Sequence, residues 1–275
     1  LIKKRKAGNN QGRKGRAASS ARPVVESGAP TVPRIAMIDA WRGLAIVLMI
    51  SYHLCFDLNY FGVLRADFNR DPLWLASRSL IVTMFLALVG ISLVLSAQRE
   101  PVLRRFGYRQ LRIGACALLV SAASYAMFPS TLIFFGILHF IFVASLIGMI
   151  LLRQGVPASV YGVAGALAIA AALQWSAPVF DLAPLQWVGF MTHKPATEDY
   201  VPLFPWIGVV LLGMAAAQLL QNRLVPKLGE SPARGVAVPQ NPVLRAGTWM
   251  GRHSLAIYML HQPILLGLLY LLVRL

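Results

Sequence analysis

Hydrophobic residues run along this chain in seven stretches, separated by short polar or proline-rich breaks. The stretches are Ile35–Leu58, Leu73–Ala97, Leu111–Phe128, Leu132–Leu152, Ala158–Gln174, Leu203–Leu220 and Trp249–Val273. Most approach the roughly 20 apolar residues that an α-helix needs to cross hydrocarbon. Backbone in lipid must satisfy its own polar groups, so runs of this length predict helices. The expected fold is an all-α integral membrane bundle of about seven transmembrane helices. The fifth stretch is short and rich in Ala and Gly. Only Pro129–Ser130 parts the third stretch from the fourth, which predicts an antiparallel hairpin there.

Composition agrees, with 57% hydrophobic and 13% charged residues. Soluble domains are nearer 45–50% and about 25%. The net charge of +16 comes largely from residues 1–34, which carry nine Lys or Arg and one acid. Such a segment buries too little apolar surface to offset its ordering entropy. It reads as a disordered basic cytoplasmic tail against anionic lipid, ahead of a transmembrane domain over 35–275. No aromatic residues interleave its charges, which argues against nucleic acid as a partner. With the tail in the cytoplasm and seven alternating spans, twenty Lys or Arg fall inside and five outside. The positive-inside rule then predicts a cytoplasmic amino terminus. Two connections exceed turn length: Asn222–Arg245, rich in Pro and Gly, reads as a linker, and Trp175–Pro202 is placed outside, where a loop of that size often covers a site.

Within this apolar background a few polar residues stand out, because such groups are costly in a bilayer and mark function by default. The first stretch carries Asp39, Arg42, His53 and Asp57. Arg42 and His53 are eleven residues apart, so they share one helix face about 16 Å apart along the axis. Asp39 pairs with Arg42 at i+3, and Arg42 either serves a site or snorkels to the interface. Asp57, at i+4 from His53, either fixes its tautomer and raises its basicity or leaves an interfacial histidine bonded to backbone. His139 in FFGILHFIF needs a partner inside the protein, whether structural or catalytic. Ser254, Tyr258 and His261 form one polar stripe in GRHSLAIYMLHQP. Asp199 precedes the sixth stretch, whose two prolines set its entrance. Arg252 is placed to bind a phosphate bidentately or to anchor the inner interface. Cys55 and Cys116 lie in apolar runs and read as packing residues. No glycine-rich phosphate loop and no metal-spaced His/Cys cluster is present, and Gly90–Ser92 lacks the context of a nucleophile elbow.

The run IDAWRGLAIVLMISYH resembles the first helix of membrane acyltransferases, with the Arg-to-His spacing of the broad acyltransferase-3 group. Together with FFGILHFI, DYVPLFPWIGVVLLGMA and GRHSLAIYMLHQP, it is similar to the bacterial branch related to the heparan-alpha-glucosaminide N-acetyltransferase catalytic domain. The resemblance spans about Arg34 to the carboxyl end. It implies an enzyme of the bacterial inner membrane that moves an acyl group, usually acetyl, from cytoplasmic acetyl-CoA to an extracytoplasmic acceptor such as a glycan. It also implies Arg42 and His53 as the polar first-helix pair, with His139, Asp199 and His261 matching the other motifs. The nucleotide end of the donor is then expected on an inner basic rim that includes Arg109, Arg112 and Arg252, and catalysis at His53 with Asp57 and Arg42. No metal is expected. A small proton-coupled transporter and a non-catalytic partner of an envelope-polysaccharide system are the rival readings, and acetyl-CoA binding separates them from the enzyme.

Overall fold

The computed structural model describes residues 36–98, 101–228 and 241–274. The expected tail over 1–34 lies outside the described residues. Eight α-helices follow in order: α1 (Ala36–Tyr60), α2 (Pro72–Ser96), α3 (Val102–Met127), α4 (Ile137–Arg153), α5 (Ala158–Gln174), α6 (Leu203–Leu228), α7 (Pro242–Arg252) and α8 (Ser254–Arg274). The described residues contain no strand. By length and hydropathy, α1, α2, α3, α6 and α8 can each cross a membrane, while α4 and α5 are apolar but only 17 residues long.

The elements differ from the hydropathy reading in four places. The third helix begins at Val102, nine residues ahead of Leu111, because Arg104, Arg105 and Arg109 depress hydropathy without disfavouring helix. The fourth begins at Ile137 rather than Leu132. A 3-10 turn at Pro129–Thr131 and an extended run lead into it, and the Thr131 and Phe135 carbonyls accept from the Glu198 and Val201 amides. The expected linker Asn222–Arg245 is helical at both ends, with 229–240 outside the described residues. The last stretch is two helices that meet at His253, not one.

Helix starts follow their local chemistry. Asp71 caps α2 by accepting from the Leu73 amide at 2.9 Å, and Asn241 caps α7 by accepting from Val243 at 2.9 Å, with proline next in both. The Phe204 backbone is extended, so regular helix in α6 begins at Pro205. Gly189, at φ +113°, turns the loop before α6 back on itself, and Leu203 and Phe204 then donate to the Trp187 and Val188 carbonyls, both at 2.8 Å.

Two packing centres result. Helix α6 packs on α2, α4 and α5 around the fully buried Leu86, Phe140, Val210 and Met214. Helix α1 packs on α2, α7 and α8 around Ile46, Met49 and Ile81. Glycine makes the close crossings, as expected where apolar helices meet inside lipid and cannot gain from the hydrophobic effect. A Cβ on Gly43 would overlap the Gly247 backbone, and one on Gly251 would overlap the Asp39 carbonyl. The order of these contacts sets α7 against the direction of α1. By contrast α8 runs with α1, since Arg252 lies at Asp39 and His261 at His53.

This packing sets a measurable contrast. Gly251→Ala should lower the thermal midpoint by the equivalent of about 1–3 kcal/mol, the usual cost of forcing atoms into a filled contact. Gly162→Ala, at a helical position with nothing within 4 Å of the added carbon, should be neutral or stabilising by up to about 1 kcal/mol.

Candidate active site

Helix α1 carries polar groups at both of its ends, and different partners complete each one. At its first turns Asp39 is buried, 3% exposed, so its charge needs close partners. Arg42 Nη1 donates to Asp39 Oδ1 at 2.9 Å, and Arg252 Nε lies 3.4 Å from Oδ2. The second arm of Arg42 donates to Ser92 Oγ at 2.7 Å, while that hydroxyl donates to the Leu88 carbonyl within α2. Arg109 of α3 lies close enough to Arg42 to repel it and reaches Ser145 Oγ at 3.5 Å. Two guanidinium groups, from α1 and α7, thus hold one carboxylate, and a third, from α3, stands beside Arg42. Among the described residues, no hydrogen bond or ion pair ties the exposed Arg112 to this cluster.

At the other end, His53 and His261 stand edge to face with ring centroids 4.9 Å apart. Asp57 is 2% exposed, and its Oδ1 accepts from Gln262 Nε2 at 2.8 Å. The carboxylate therefore reaches across to α8 rather than along α1, and no hydrogen bond joins it to His53. Beside the histidines, Tyr52, Phe68 and Trp74 pack edge to face or tilted, with Phe68 and Trp74 centroids 4.2 Å apart. These rings close the site between α1, α2 and their connecting loop.

Asp199 lies one layer away. Its Oδ2 accepts from the Ile137 amide at 2.8 Å, which satisfies a free donor at the start of α4. A side chain on Gly136 would collide with this carboxylate. Tyr258 of α8 also hydrogen-bonds Asp199, and Lys194 and Arg78 act on it electrostatically. Removal from water pushes the Asp199 carboxyl above the ordinary carboxylate range, against the Ile137 amide and the two cations. Asp199 thus ties the 175–202 loop, α4 and α8 together. His139 is held locally: its Nδ1 accepts from the Gly136 amide at 3.3 Å, and its other nitrogen meets Ser121 Oγ at 3.1 Å. It faces α3 and the turn before α4, and none of these contacts reaches the paired histidines. Ser254 opens α8, one turn below Tyr258.

Sequence reasoning passed over Ser92, Ser145, Arg78 and the role of Gln262. Arg78 lies two turns inside α2, a position that marks a functional candidate. Ser92 was weighed only as a hydrolase nucleophile. No sequence signal pairs Gln262 with Asp57, since the contact spans 205 residues.

Two open clefts lie in the connections, one at the 175–202 loop and one at the α1–α2 loop. One, of about 510 Å³, is lined by Phe134, Gln186, His193 and Lys194 among others, and one of about 600 Å³ by Phe56, Asn59 and residues 65–69. Tyr200 pins the first through its hydroxyl, which donates to the Gln186 carbonyl at 2.7 Å; burial pushes this phenol up to about 12. Cys55 and Cys116 are free thiols, and among the described residues no group of His, Cys, Asp or Glu is arranged to hold a metal ion.

Residues 34–263 match the family described as Heparan-alpha-glucosaminide N-acetyltransferase, catalytic. That segment covers most of the chain and all the residues above, so the chain belongs to this family of membrane acetyltransferases. No curated protein and no solved structure matches it.

Two outcomes follow from the geometry. Asp39→Ala would strand two guanidinium groups. Its cost should fall below the about 3–5 kcal/mol of a fully buried pair, because Arg252 is half exposed; thermal unfolding in detergent reads it. In the loop between α5 and α6, the Thr192 hydroxyl and amide donate to Asp181 at 2.6 and 2.9 Å and hold its carboxyl below the ordinary 3.8. A carboxyl depressed on folding stabilises above its ordinary value and stops doing so as pH falls through the depressed one. Limited proteolysis of residues 175–202 should therefore stay constant from pH 8 to about pH 5 and rise only in acid below 3.8.

Proposed function

We propose that this member of the heparan-alpha-glucosaminide N-acetyltransferase catalytic family moves an acetyl group across a bacterial inner membrane. The donor is acetyl-CoA at the Asp39 end, and the acceptor is an amino or hydroxyl group, on a glycan, at the Asp57 end. The observation that carries this reading is the polar arrangement of α1, with a guanidinium cluster at one end and two adjacent imidazoles at the other. Within an acetyltransferase family, that order suits an anionic donor and a base-assisted acceptor.

The excess of Lys and Arg in the connections at the Asp39 end favours placing it in the cytoplasm. There Arg42, Arg109 and Arg252 offer forked donors suited to phosphate oxygens. Asp39 offsets part of their charge, so the cluster tolerates the bilayer edge without a ligand and keeps positive charge for one. Arg104, Arg105 and Arg112, exposed on the first turns of α3, extend the basic rim. The pantetheine arm would pass between helices towards His53.

At the far end, His53 acts as general base on the acceptor as it attacks the thioester carbonyl, an assistance worth about 10²–10⁴-fold. The clefts at the 175–202 loop and the α1–α2 loop would then open on the side from which a glycan approaches. Their openness suits a polymer end better than a small enclosed solute, which favours transfer over transport.

Purified protein given acetyl-CoA labelled in the acetyl group, together with extracted envelope glycans, should move label to the glycan. His53→Ala should lower that rate by about 10²–10⁴-fold with the fold retained. An active His53→Ala protein would remove His53 from the chemistry. A wild-type protein that neither binds nor consumes acetyl-CoA would overturn the reading altogether.

A further inference from the structure

His261 has one nitrogen already committed. Its Nδ1 lies 2.6 Å from the Tyr258 carbonyl oxygen, which can only accept, so Nδ1 carries the hydrogen. The lone pair is then on Nε2. That atom is buried, with no hydrogen-bond partner among the described residues. A buried acceptor without a donor costs stability, and the ring beside it is His53, centroid to centroid 4.9 Å and inclined at 63°. Two imidazoles joined by an N–H···N bond near 3 Å have centroids about 5 Å apart. The observed pair stands at that separation.

The carboxylate expected to orient His53 is engaged elsewhere. Asp57 Oδ1 holds Gln262, and Oδ2 is buried and unpartnered. From the two orphan acceptors and the ring geometry, we infer that His261 is the positioning residue for His53. Its Nε2 accepts the N–H of one His53 nitrogen and leaves the other nitrogen as the free base. The inference rests on the acetyl-transfer reading.

In the step itself, the acceptor nitrogen or oxygen bonds to the thioester carbonyl carbon. The acceptor's proton passes to the free nitrogen of His53, and the proton on the other His53 nitrogen moves to His261 Nε2. As the C–S bond breaks, the coenzyme A thiolate leaves and takes one proton through His53, which restores both neutral rings. Asp57, at i+4 from His53 and bonded to the Gln262 that follows His261, is the acid nearest the pair along both helices. The other titratable groups around the pair are Tyr52 on α1, Tyr258 on α8 and, beyond Tyr52, Arg78 of α2.

The test uses the whole chain in nanodiscs, with His261→Leu, which removes the acceptor, and His261→Gln, whose amide oxygen can replace it. His261→Leu should lower kcat by about 10²-fold with KM for acetyl-CoA unchanged. His261→Gln should recover to within about tenfold of wild type and shift the pH–rate profile. A folded His261→Leu protein with wild-type kcat and pH profile overturns the inference, as do Leu and Gln variants that fold and are equally inactive. Should neither variant fold, nitrogen-15 imidazole spectra of the wild-type protein decide. A neutral Nδ1–H ring whose second nitrogen accepts from another imidazole supports the pair, and five uncoupled histidines refute it. If wild-type protein transfers no acetyl group, the functional reading fails, and the same spectra still settle the pairing.

Discussion

Asp39 is a carboxylate buried where α7 crosses α1 so closely that only glycine fits between them. A charge in that position persists only with partners, and it takes them from two helices, Arg42 of α1 and Arg252 at the end of α7. The glycines and the ion pairs depend on one another. Without Gly43 and Gly251 the backbones could not approach, and without the guanidinium groups the approach would enclose an unpaired charge. The same arrangement explains why the last hydrophobic stretch is broken. The chain runs against α1 through α7, turns at His253, and runs with α1 through α8.

That reversal decides what meets His53. Because α8 starts at the Asp39 level and runs parallel to α1, its third turn arrives opposite the third turn beyond Arg42. His261 and Gln262 then face His53 and Asp57. The cluster at one end of α1 therefore sets the register of the other. A family of acetyltransferases supplies the class of chemistry, and the fold of this chain supplies a cationic end and an imidazole end on a shared helix. Asp199 serves the same purpose from the 175–202 loop, since it fixes the start of α4, Tyr258 and that loop around one carboxylate.

Much of this was legible in the chain. The apolar runs located every membrane-length helix among the described residues, and the polar residues of Ile38–Asp57 singled out α1, at whose two ends the structure gathers polar clusters. What the sequence hides is of two kinds. Hydropathy measures how a segment partitions, so it missed the arginine-rich first turns of α3 and the kink at His253, which are set by packing and not by polarity. Helical spacing reports neighbours on one helix, so it paired Asp57 with His53. The actual partner, Gln262, belongs to another helix and cannot be reached by counting residues. Ser92 was invisible for a similar reason, because its hydroxyl matters only as the rest for Arg42 after α1 and α2 have packed.

The central claim is directional: donor at the Asp39 end, acceptor at the Asp57 end. Sealed proteoliposomes with a single protein orientation test it most directly, with labelled acetyl-CoA supplied on the face of the amino-terminal tail and acceptor glycan confined to the opposite side. The account predicts acetyl label on the glycan across the membrane, with coenzyme A left in the donor compartment. Label confined to glycan that shares the donor's compartment would contradict it.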